Sequence, residues 1–304
     1  MDNKSKSFFV TLPNRGLIHL EGEDRHSFLQ NLITNDINHA KPGEALYTAM
    51  LSPQGKFLFD FFILVGEDFT LLDCEGGTRA QKLYKHLKLY KLRSKVQVSV
   101  EEENTVYALI NTSTDTAIAD PRHPGMGMRS FEKPDSVEEK PFETWDAHRI
   151  RLGIPDGSRD MLVDKDTALE CNLDKVNGVS FNKGCYVGQE ITSRMKLRNT
   201  VRKNLYPVGF TGEMLEPLTD IRSGDQLIGQ MRSHCGSIGL ALLKNDALPL
   251  PATTRRIGRR LHRSTTICSS SRISPALPSQ PHNARRNTVI CRLSADVSSS
   301  TWIV

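Results

Sequence analysis

The residues of this sequence with the most chemical potential lie together at 182–190, which read Asn-Lys-Gly-Cys-Tyr-Val-Gly-Gln-Glu. Gly188 precedes the run Gln-Glu-Ile, a pattern that predicts a loop leading into a helix. Cys185 would then lie near a helix N-terminus and close to Lys183, and both neighbours lower the pKa of a thiol and favour the reactive thiolate. A lone cysteine is also commonly a small buried apolar residue, so both roles stay open for Cys185.

This segment lacks the pattern of a phosphate-binding loop, and the cysteines lack the spacing of disulfide scaffolds and metal sites. The order GxxxxGK[ST] of a phosphate-binding loop is absent, so we do not predict a phosphate cradle. Tyr186 can stack on a flat heterocycle or fill the core, and the core is the commoner role. The six cysteines include no CxxC pair, and His234-Cys235 has no second pair of ligands nearby, so neither a disulfide scaffold nor a metal site is predicted.

Basic side chains are concentrated around and after this segment. Such a cluster can meet an acidic partner or ligand, or it can form an ordinary solvated surface. Its members are Lys183, Arg194, Lys196, Arg198, Arg202 and Lys203.

Hydrophobic patterns predict the elements that must position these residues. Segments 45–51 and 56–65 are typical of a hairpin, with the turn Ser-Pro-Gln-Gly at 52–55. Strands and helices mix without a βαβ rhythm, which indicates an α+β fold with mostly antiparallel sheets. Residues 120–140 are rich in Pro, Gly and charge and are predicted to form a surface loop. Further helices are predicted over 23–34, 78–90 and 142–152, and further strands over 7–20, 69–75, 95–100 and 105–110.

The net charge of +5 is unevenly distributed over the 304 residues. Residues 249–304 contain nine Arg, no Lys and one acidic residue, a net charge of +8 that leaves −3 for the other 248 residues. Glycine-spaced short strands at 199–248 predict a small β-barrel, whereas the segment after it shows no sustained period. We expect residues 249–304 to lie outside the folded unit and to arise from a disrupted reading frame. A native disordered basic tail and a nucleic-acid-binding arm are the alternatives.

Composition excludes fibrous, wholly disordered and membrane-spanning classes. Hydrophobic residues make up 38% and charged residues 25% of the chain, as in soluble globular proteins. The longest apolar run, near 58–65, is far too short to cross a membrane. The first residues match neither a signal peptide nor a transit peptide, so a cytoplasmic location and a reducing environment are expected.

Four segments carry a resemblance to a known family. KGCYVGQE at 183–190 resembles the signature of the YgfZ-type folate-binding proteins, which are relatives of the glycine-cleavage T-protein, an aminomethyltransferase, and include mitochondrial iron–sulfur maturation factors. The segments at 20–37, 47–64 and 148–157 resemble further parts of that family. The resemblance covers residues 8–248.

The resemblance implies the T-protein-like, aminomethyltransferase folate-binding fold. That fold has two interleaved α+β domains and a C-terminal β-barrel around a central hole of folate size. It implies a folate-binding body over 1–200, a partial barrel over 201–248 and an anomalous tail over 249–304. The barrel is expected to be incomplete, because the strand pattern stops at Leu248.

The resemblance also implies roles for particular residues. Asp60 falls where T-proteins place the carboxylate beside the reacting nitrogen of folate, although a strand Asp facing solvent is the alternative. Arg151 falls where T-proteins carry a pterin-binding Glu, and a guanidinium cannot accept the pterin N–H donors, so Glu170 is a possible substitute. Cys185 and Asp60 are the expected catalytic residues. The expected folate contacts are Lys183, Gly184, Tyr186, Gly188, Gln189, Glu190, Arg151 and Glu170.

The function implied is that of a tetrahydrofolate-binding factor that supports assembly or repair of iron–sulfur clusters in client enzymes and so indirectly affects tRNA modification. Cys185 would act with cysteines of a partner, since one thiolate cannot hold a cluster. A tetrahydrofolate-dependent aminomethyltransferase or demethylase and a folate-dependent scaffold without chemistry are the alternatives. Expected partners are folate and iron–sulfur carrier and client proteins, with no direct nucleic acid and no membrane. We expect a monomer in the cytoplasm, or in the mitochondrial matrix of a eukaryotic cell.

Overall fold

The chain forms three five-stranded β-sheets with short helices packed between and beside them. This computed structural model describes residues 7–101, 105–209, 215–223 and 225–247, together with the backbone of 302–303. The mixture of helices with mainly antiparallel strands confirms the α+β class. The helices are α1 (Arg25–Gln30), α2 (Thr78–Lys91), α3 (Phe142–Arg151), α4 (Gly157–Asp160) and α5 (Gln189–Leu197), with 3-10 turns at Ile37–His39, Pro124–Met126 and Asn245–Ala247.

The first sheet contains the predicted hairpin and is buried on both faces. Its strands, in spatial order, are β3 (Ala45–Leu51), β4 (Phe57–Val65), β5 (Phe69–Glu75), β2 (Arg15–Glu21) and β6 (Gln97–Glu101), all antiparallel. Successive side chains of a strand point to opposite faces, so Phe62 enters one core while Phe61 and Ile63 enter another. Burial on both faces explains the almost unbroken apolar run along β4.

The turn of this hairpin is held close to α5. The Gly55 amide donates to the Ser52 carbonyl oxygen at 2.8 Å. Gly55 has a φ of +71°, and a Cβ there would lie 2.8 Å from the Cβ of Ile191. Glycine is therefore required at this corner, both for its backbone conformation and for the approach of the helix.

The second sheet packs on the first and corrects one prediction. Its strands, in spatial order, are β10 (Glu138–Glu139), β1 (Phe8–Leu12), β7 (Val106–Ile110), β9 (Met128–Ser130) and β8 (Ile118–Ala119). The prediction of a surface loop over 120–140 was wrong, because this segment contributes β9 and the buried residues Arg122, Met126 and Arg129. Arg122 pairs with the buried Asp120, and Arg129 pairs with the buried Asp73. Local composition does not show that these side chains are buried.

The third sheet belongs to the predicted barrel region. Its strands, in spatial order, are β12 (Asp220–Ser223), β13 (Gln226–Cys235), β14 (Ile238–Lys244), β11 (Lys203–Gly209) and β15 (Trp302–Ile303). The pairs are antiparallel except β11 with β15, which is parallel. A small core of its own includes Val208, Ile221 and Met231. Apart from β15, the tail at 249–304 lies outside the described residues.

A buried arginine connects the third sheet to the helices of the body. Arg149 in α3 is fully buried and donates to Asp146 at 2.7 Å, to Asp160 at 2.6 Å and to the Ser233 hydroxyl at 2.8 Å. Ser233 lies in β13 and Asp160 closes α4. One side chain therefore joins two neighbouring helices to a strand that is 84 positions away in the sequence.

Candidate functional site

The segment at 182–190, here called the signature loop, is anchored to the protein by Lys183. The ammonium group of Lys183 donates to the carbonyl oxygens of Gln30 at 2.8 Å, Ile33 at 2.7 Å and Asn35 at 2.7 Å. Burial lowers the pKa of Lys183 to about 8. All three N–H donors are used by these carbonyls, so Lys183 points into the protein and fixes the loop. It does not have the role beside the thiol that the sequence predicts for it.

The end of the signature loop is fixed by a close backbone approach. Gly188 precedes α5, as predicted, and has a φ of +83°. A Cβ at Gly188 would lie 2.5 Å from the carbonyl oxygen of Ser52 in the hairpin turn. Tyr186 is buried, with the Lys183 nitrogen 5.1 Å from its ring centre, and burial raises its pKa to about 12. The loop therefore has a rigid base on both sides of Cys185.

Cys185 is exposed at the tip of this rigid loop. Of the four cysteines in the described part of the chain, Cys74 and Cys171 are buried and Cys235 is half-buried. Burial raises the pKa of the Cys74 thiol to about 12 and that of Cys171 well above its usual value. Cys185 is thus the thiol that an incoming group can reach without local unfolding.

An open groove of about 940 Å³ runs beside Cys185. The end of α2, the hairpin turn and α5 form its walls. Its apolar lining comes from Pro53, Tyr90, Tyr186, Val187 and Leu197, and its basic side chains are Arg194 and Arg198.

A second concave site, here called the central cavity, lies where the first two sheets meet α3. Its volume is about 210 Å³. Aromatic rings of Phe142 and Trp145 form one side. Charged side chains that line it are Arg15, Arg122, Arg129, Arg159, Glu75 and Asp156.

The guanidinium groups of the central cavity are held by carboxylates behind its walls. Arg15 donates to Asp73 at 2.6 Å, and Arg129 pairs with the same carboxylate. Arg122 pairs with Asp120 at 2.7 Å. The pKa of Asp120 is below its usual value, because Arg122 outweighs the opposing effect of burial. Charges fixed in this way help to hold the cavity in one shape.

Asp60 lies near Arg15 and Glu75, two residues that line the central cavity, but is not itself part of the lining. It is buried in β4 and accepts a hydrogen bond from the Tyr47 hydroxyl at 2.9 Å. Burial raises the pKa of Asp60 to about 6, against the opposing effects of Arg15 and of the Tyr47 hydroxyl. A Cβ on Gly157 would lie 2.8 Å from Glu75 Oε2 and 3.7 Å from Asp60 Oδ1, so these two carboxyl groups converge on one point. Burial therefore favours the protonated form of Asp60 up to a pH of about 6, close to the cavity-lining Glu75.

The structure does not bring all the predicted site residues together. Asp60 lies near Glu75 of the central-cavity lining, whereas the signature-loop residues lie at the groove or beneath it. Arg151 is exposed at the end of α3. Glu170 accepts from the Thr167 amide at 3.1 Å and from its hydroxyl at 2.8 Å, a local contact outside the cavity lining.

Sequence reasoning missed the residues that line the central cavity. Arg15, Arg122, Arg129 and Arg159 lie in three different segments, and none belongs to a local motif. Trp145 fell within a predicted helix and carried no separate signal. Arg15 and Arg129 pair with Asp73, 58 and 56 positions away, and local spacing could not have found these contacts.

None of the helices within the described residues is long and apolar enough to cross a membrane. Among these same residues, no group of three or more His, Cys, Asp or Glu side chains is placed to hold a metal ion.

Two family models match parts of the chain. The GCVT N-terminal domain matches residues 12–113. The CAF17 C-terminal beta-barrel domain matches residues 202–279 and so extends past the described end of the barrel region at 247.

Curated relatives match over most of the chain. The iron-sulfur cluster assembly factor IBA57, mitochondrial, of Homo sapiens is 31% identical over 283 residues, covering 80% of this chain and 79% of the relative. The IBA57 homolog of Pyricularia oryzae is 31% identical over 285 residues, covering 79% of this chain and 72% of the relative.

Among solved structures, the glycine cleavage system aminomethyltransferase T from Bartonella henselae has a similar fold. The TM-score is 0.64 at 15% identity, with 79% of this chain and 78% of that chain covered. This likeness confirms the T-protein-like fold that the resemblance implied.

Proposed function

Because the chain belongs to the IBA57 family of iron–sulfur cluster assembly factors, we propose that it supports assembly or repair of iron–sulfur clusters in client proteins through Cys185. The observation that supports this role is an exposed thiol on a rigid loop. Clusters normally need several thiolates, and Cys74 and Cys171 are buried. Cys185 therefore supplies one ligand, and a partner protein supplies the others.

The chemical step is a ligand exchange without oxidation or reduction. The sulfur of Cys185 loses its proton and forms a bond to iron of the partner's cluster. One partner thiolate leaves the iron and takes up a proton. The cluster is the cargo of this step, and the rigid base formed by Lys183 and Gly188 keeps the sulfur at the surface throughout.

Cluster binding is tested with the full chain and a cluster-loaded carrier protein that has cysteine ligands. The mixture of carrier and wild-type chain should elute as one complex with iron and a changed visible circular dichroism spectrum. Cys185→Ser should lose the complex, while Cys235→Ser, the matched control at the half-buried thiol, should retain it. Retention of iron by Cys185→Ser would contradict the proposal.

We also propose that the central cavity binds tetrahydrofolate or a derivative. The side chains fit such a ligand, since the ring of Trp145 can face a flat heterocycle and the carboxylates of Glu75 and Asp156 can accept its N–H donors. A bound tetrahydrofolate would supply a nitrogen that carries one-carbon groups. The protein's own contribution is to orient the ring, exclude water and hold a proton on Asp60.

Folate binding is tested by fluorescence, because one of the two tryptophans lines the cavity. In a Trp302→Phe background, added tetrahydrofolate should quench Trp145 emission to a plateau. Asp156→Asn should weaken binding about tenfold, the worth of one hydrogen bond to a charged group, while Asp164→Asn outside the cavity should not. A linear, unsaturated response would count against the proposal.

A tetrahydrofolate-dependent aminomethyl transfer is the second candidate function, and the position and raised pKa of Asp60 favour it. Release of ammonia from an aminomethyl thioether should then require both tetrahydrofolate and Asp60. Asp60→Asn should stop this release and leave the cluster complex intact. If wild-type protein releases no ammonia, the cavity has a binding role only.

The wider role that we propose follows from the relatives. Client enzymes that need clusters for radical chemistry would link the protein indirectly to tRNA modification. Both relatives are named as mitochondrial proteins, so we propose the mitochondrial matrix in a eukaryotic source cell and the cytoplasm otherwise. Purified alone, the protein is expected to be a monomer.

A further inference from the structure

The three most exposed large apolar side chains of the described residues lie at the ends of α2 and α5, two helices that contribute residues to the groove beside Cys185. Leu89 is 72% exposed, Leu92 is 88% exposed and Leu197 is 86% exposed. Tyr90, between the first two in the chain, lines the same groove as Leu197 and Cys185. Leucines are rarely left so exposed in a cluster unless another molecule covers them.

Basic side chains surround these leucines, and most of them lack a carboxylate partner. The sequence of α2 contains no acidic residue. In the described part of the chain, Lys82, Lys85, Lys91, Arg93 and Arg198 form no ion pair, and the Lys88 ammonium contacts only the Tyr84 hydroxyl and ring. The surface carboxylate of α5, Glu190, is neutralised by Arg194. The unpaired cations therefore give this surface an excess of positive charge beside exposed leucines.

We propose that this surface, here called the α2–α5 face, is the docking site of an acidic protein partner. It consists of Lys82, Lys85, Leu89, Leu92, Leu197 and Arg198 with the groove beside Cys185. An apolar side chain of the partner enters the groove, and its carboxylates pair with the basic rim. The inference rests on the proposed function, because the same partner brings its cysteines to Cys185.

Charge complementarity selects this occupant. The first 248 residues carry a net charge of −3, so a cationic face on them is a local departure and not a general property of the body. A cationic surface attracts an acidic partner and speeds the encounter, and the apolar centre slows its release.

An acidic protein fits this face better than a membrane does. The apolar stripe of α2, formed by Ala80, Leu83 and Leu87, is buried in the core, so the helix cannot insert into lipid. Leu197 and Tyr90 line a concave groove that can receive a side chain. Binding to anionic vesicles is therefore an outcome that would count against the proposal.

The test uses two synthetic peptides that differ only in charge. Each has a central Leu-Cys-Leu, flanked by Glu in one peptide and by Lys in the other, with its cysteine as a mixed disulfide with thionitrobenzoate. The Cys185 thiolate attacks the peptide sulfur, a new disulfide forms and thionitrobenzoate leaves as the coloured anion. The rate measured with Cys185→Ser is subtracted, so the difference reports on Cys185 alone.

With the full reduced chain at low salt, the acidic peptide should react about tenfold faster than the basic one, as expected for electrostatic steering. Lys85→Glu combined with Arg198→Glu should remove or reverse this preference. Leu197→Ser should slow the acidic peptide but not a small uncharged disulfide reagent. The matched control, Lys165→Glu with Lys203→Glu at a separate surface, should behave as wild type.

Equal rates for the two peptides, or a preference that survives the charge reversal, would overturn the docking proposal. If the peptide rates are equal and Lys85→Glu abolishes binding to anionic vesicles, the face binds a membrane and not an acidic protein. The peptides contain no iron, so failure of the cluster experiment with a retained peptide preference removes the iron role and leaves the docking surface. The opposite pattern removes the docking surface alone.

Discussion

At the scale of single residues, Asp60 shows how burial changes chemistry. Its carboxyl group lies on β4 and is buried. Within the described residues, the hydrogen bond that it accepts comes from the Tyr47 hydroxyl. Its pKa of about 6 lies above the ordinary 3.8, so the folded state binds more protons than the unfolded state between these values. The free energy of unfolding therefore falls as the pH rises from 3.8 to about 6, and above this window the full cost of the buried charge remains.

Asp60→Asn should raise the free energy of unfolding, and the gain should be about 1 kcal/mol larger at about pH 8 than at about pH 5. The amide is neutral at both pH values and can still accept from Tyr47, so only the cost of the buried charge is removed. Urea unfolding at the two pH values measures the difference. Asp164→Asn, at an exposed carboxylate, should show no such pH dependence, and an equal gain from Asp60→Asn at both values would disprove the assignment.

At the scale of elements, the signature loop is positioned by its neighbours. Lys183 attaches its start to the residues after α1, and Gly188 seats its end on the hairpin turn. The two glycines of the loop differ in their surroundings. A Cβ on Gly184 would meet no atom within 4 Å, whereas one on Gly188 would clash with backbone.

Gly188→Ala should therefore destabilise the protein by about 2 kcal/mol, while Gly184→Ala should change stability by less than about 0.5 kcal/mol. The reason is that Gly188 combines a positive φ with a contact of 2.5 Å to a carbonyl oxygen. Thermal unfolding of both variants provides the comparison. Similar melting temperatures for the two would show that the loop is not fixed in this way.

At the scale of the whole molecule, Arg149 holds the barrel sheet against the body. Its guanidinium is fully buried and bridges Asp146, Asp160 and Ser233. A buried charge that loses its partner is costly, because the remaining carboxylate stays desolvated.

Arg149→Met should lower the free energy of unfolding by about 3 kcal/mol or more, since Asp160 is left without its cation. Arg151→Met, two residues later and exposed, is the matched control and should have an effect below about 0.5 kcal/mol. Urea unfolding followed by Trp145 fluorescence measures both. A small effect at Arg149 would mean that the barrel is held by its apolar contacts alone.

Local patterns were enough to predict the α+β class, the hairpin with its turn at 52–55, α2, α3 and the start of α5. These features depend on residues that are near one another in sequence: alternation along a strand, helical spacing and turn chemistry. The signature at 183–190 also identified the T-protein-like fold, because eight consecutive residues carried a specific resemblance.

Tertiary structure alone decided what the predicted site residues can do. Cys185 and Lys183 are two residues apart, yet one is exposed and the other lies among three carbonyl groups contributed by residues about 150 positions away. Arg129, in a segment predicted to be a surface loop, is buried and pairs with Asp73, 56 positions away, while Arg122 in the same segment is buried beside Asp120. Burial and ion pairing depend on contacts between remote segments, and no local pattern encodes those contacts.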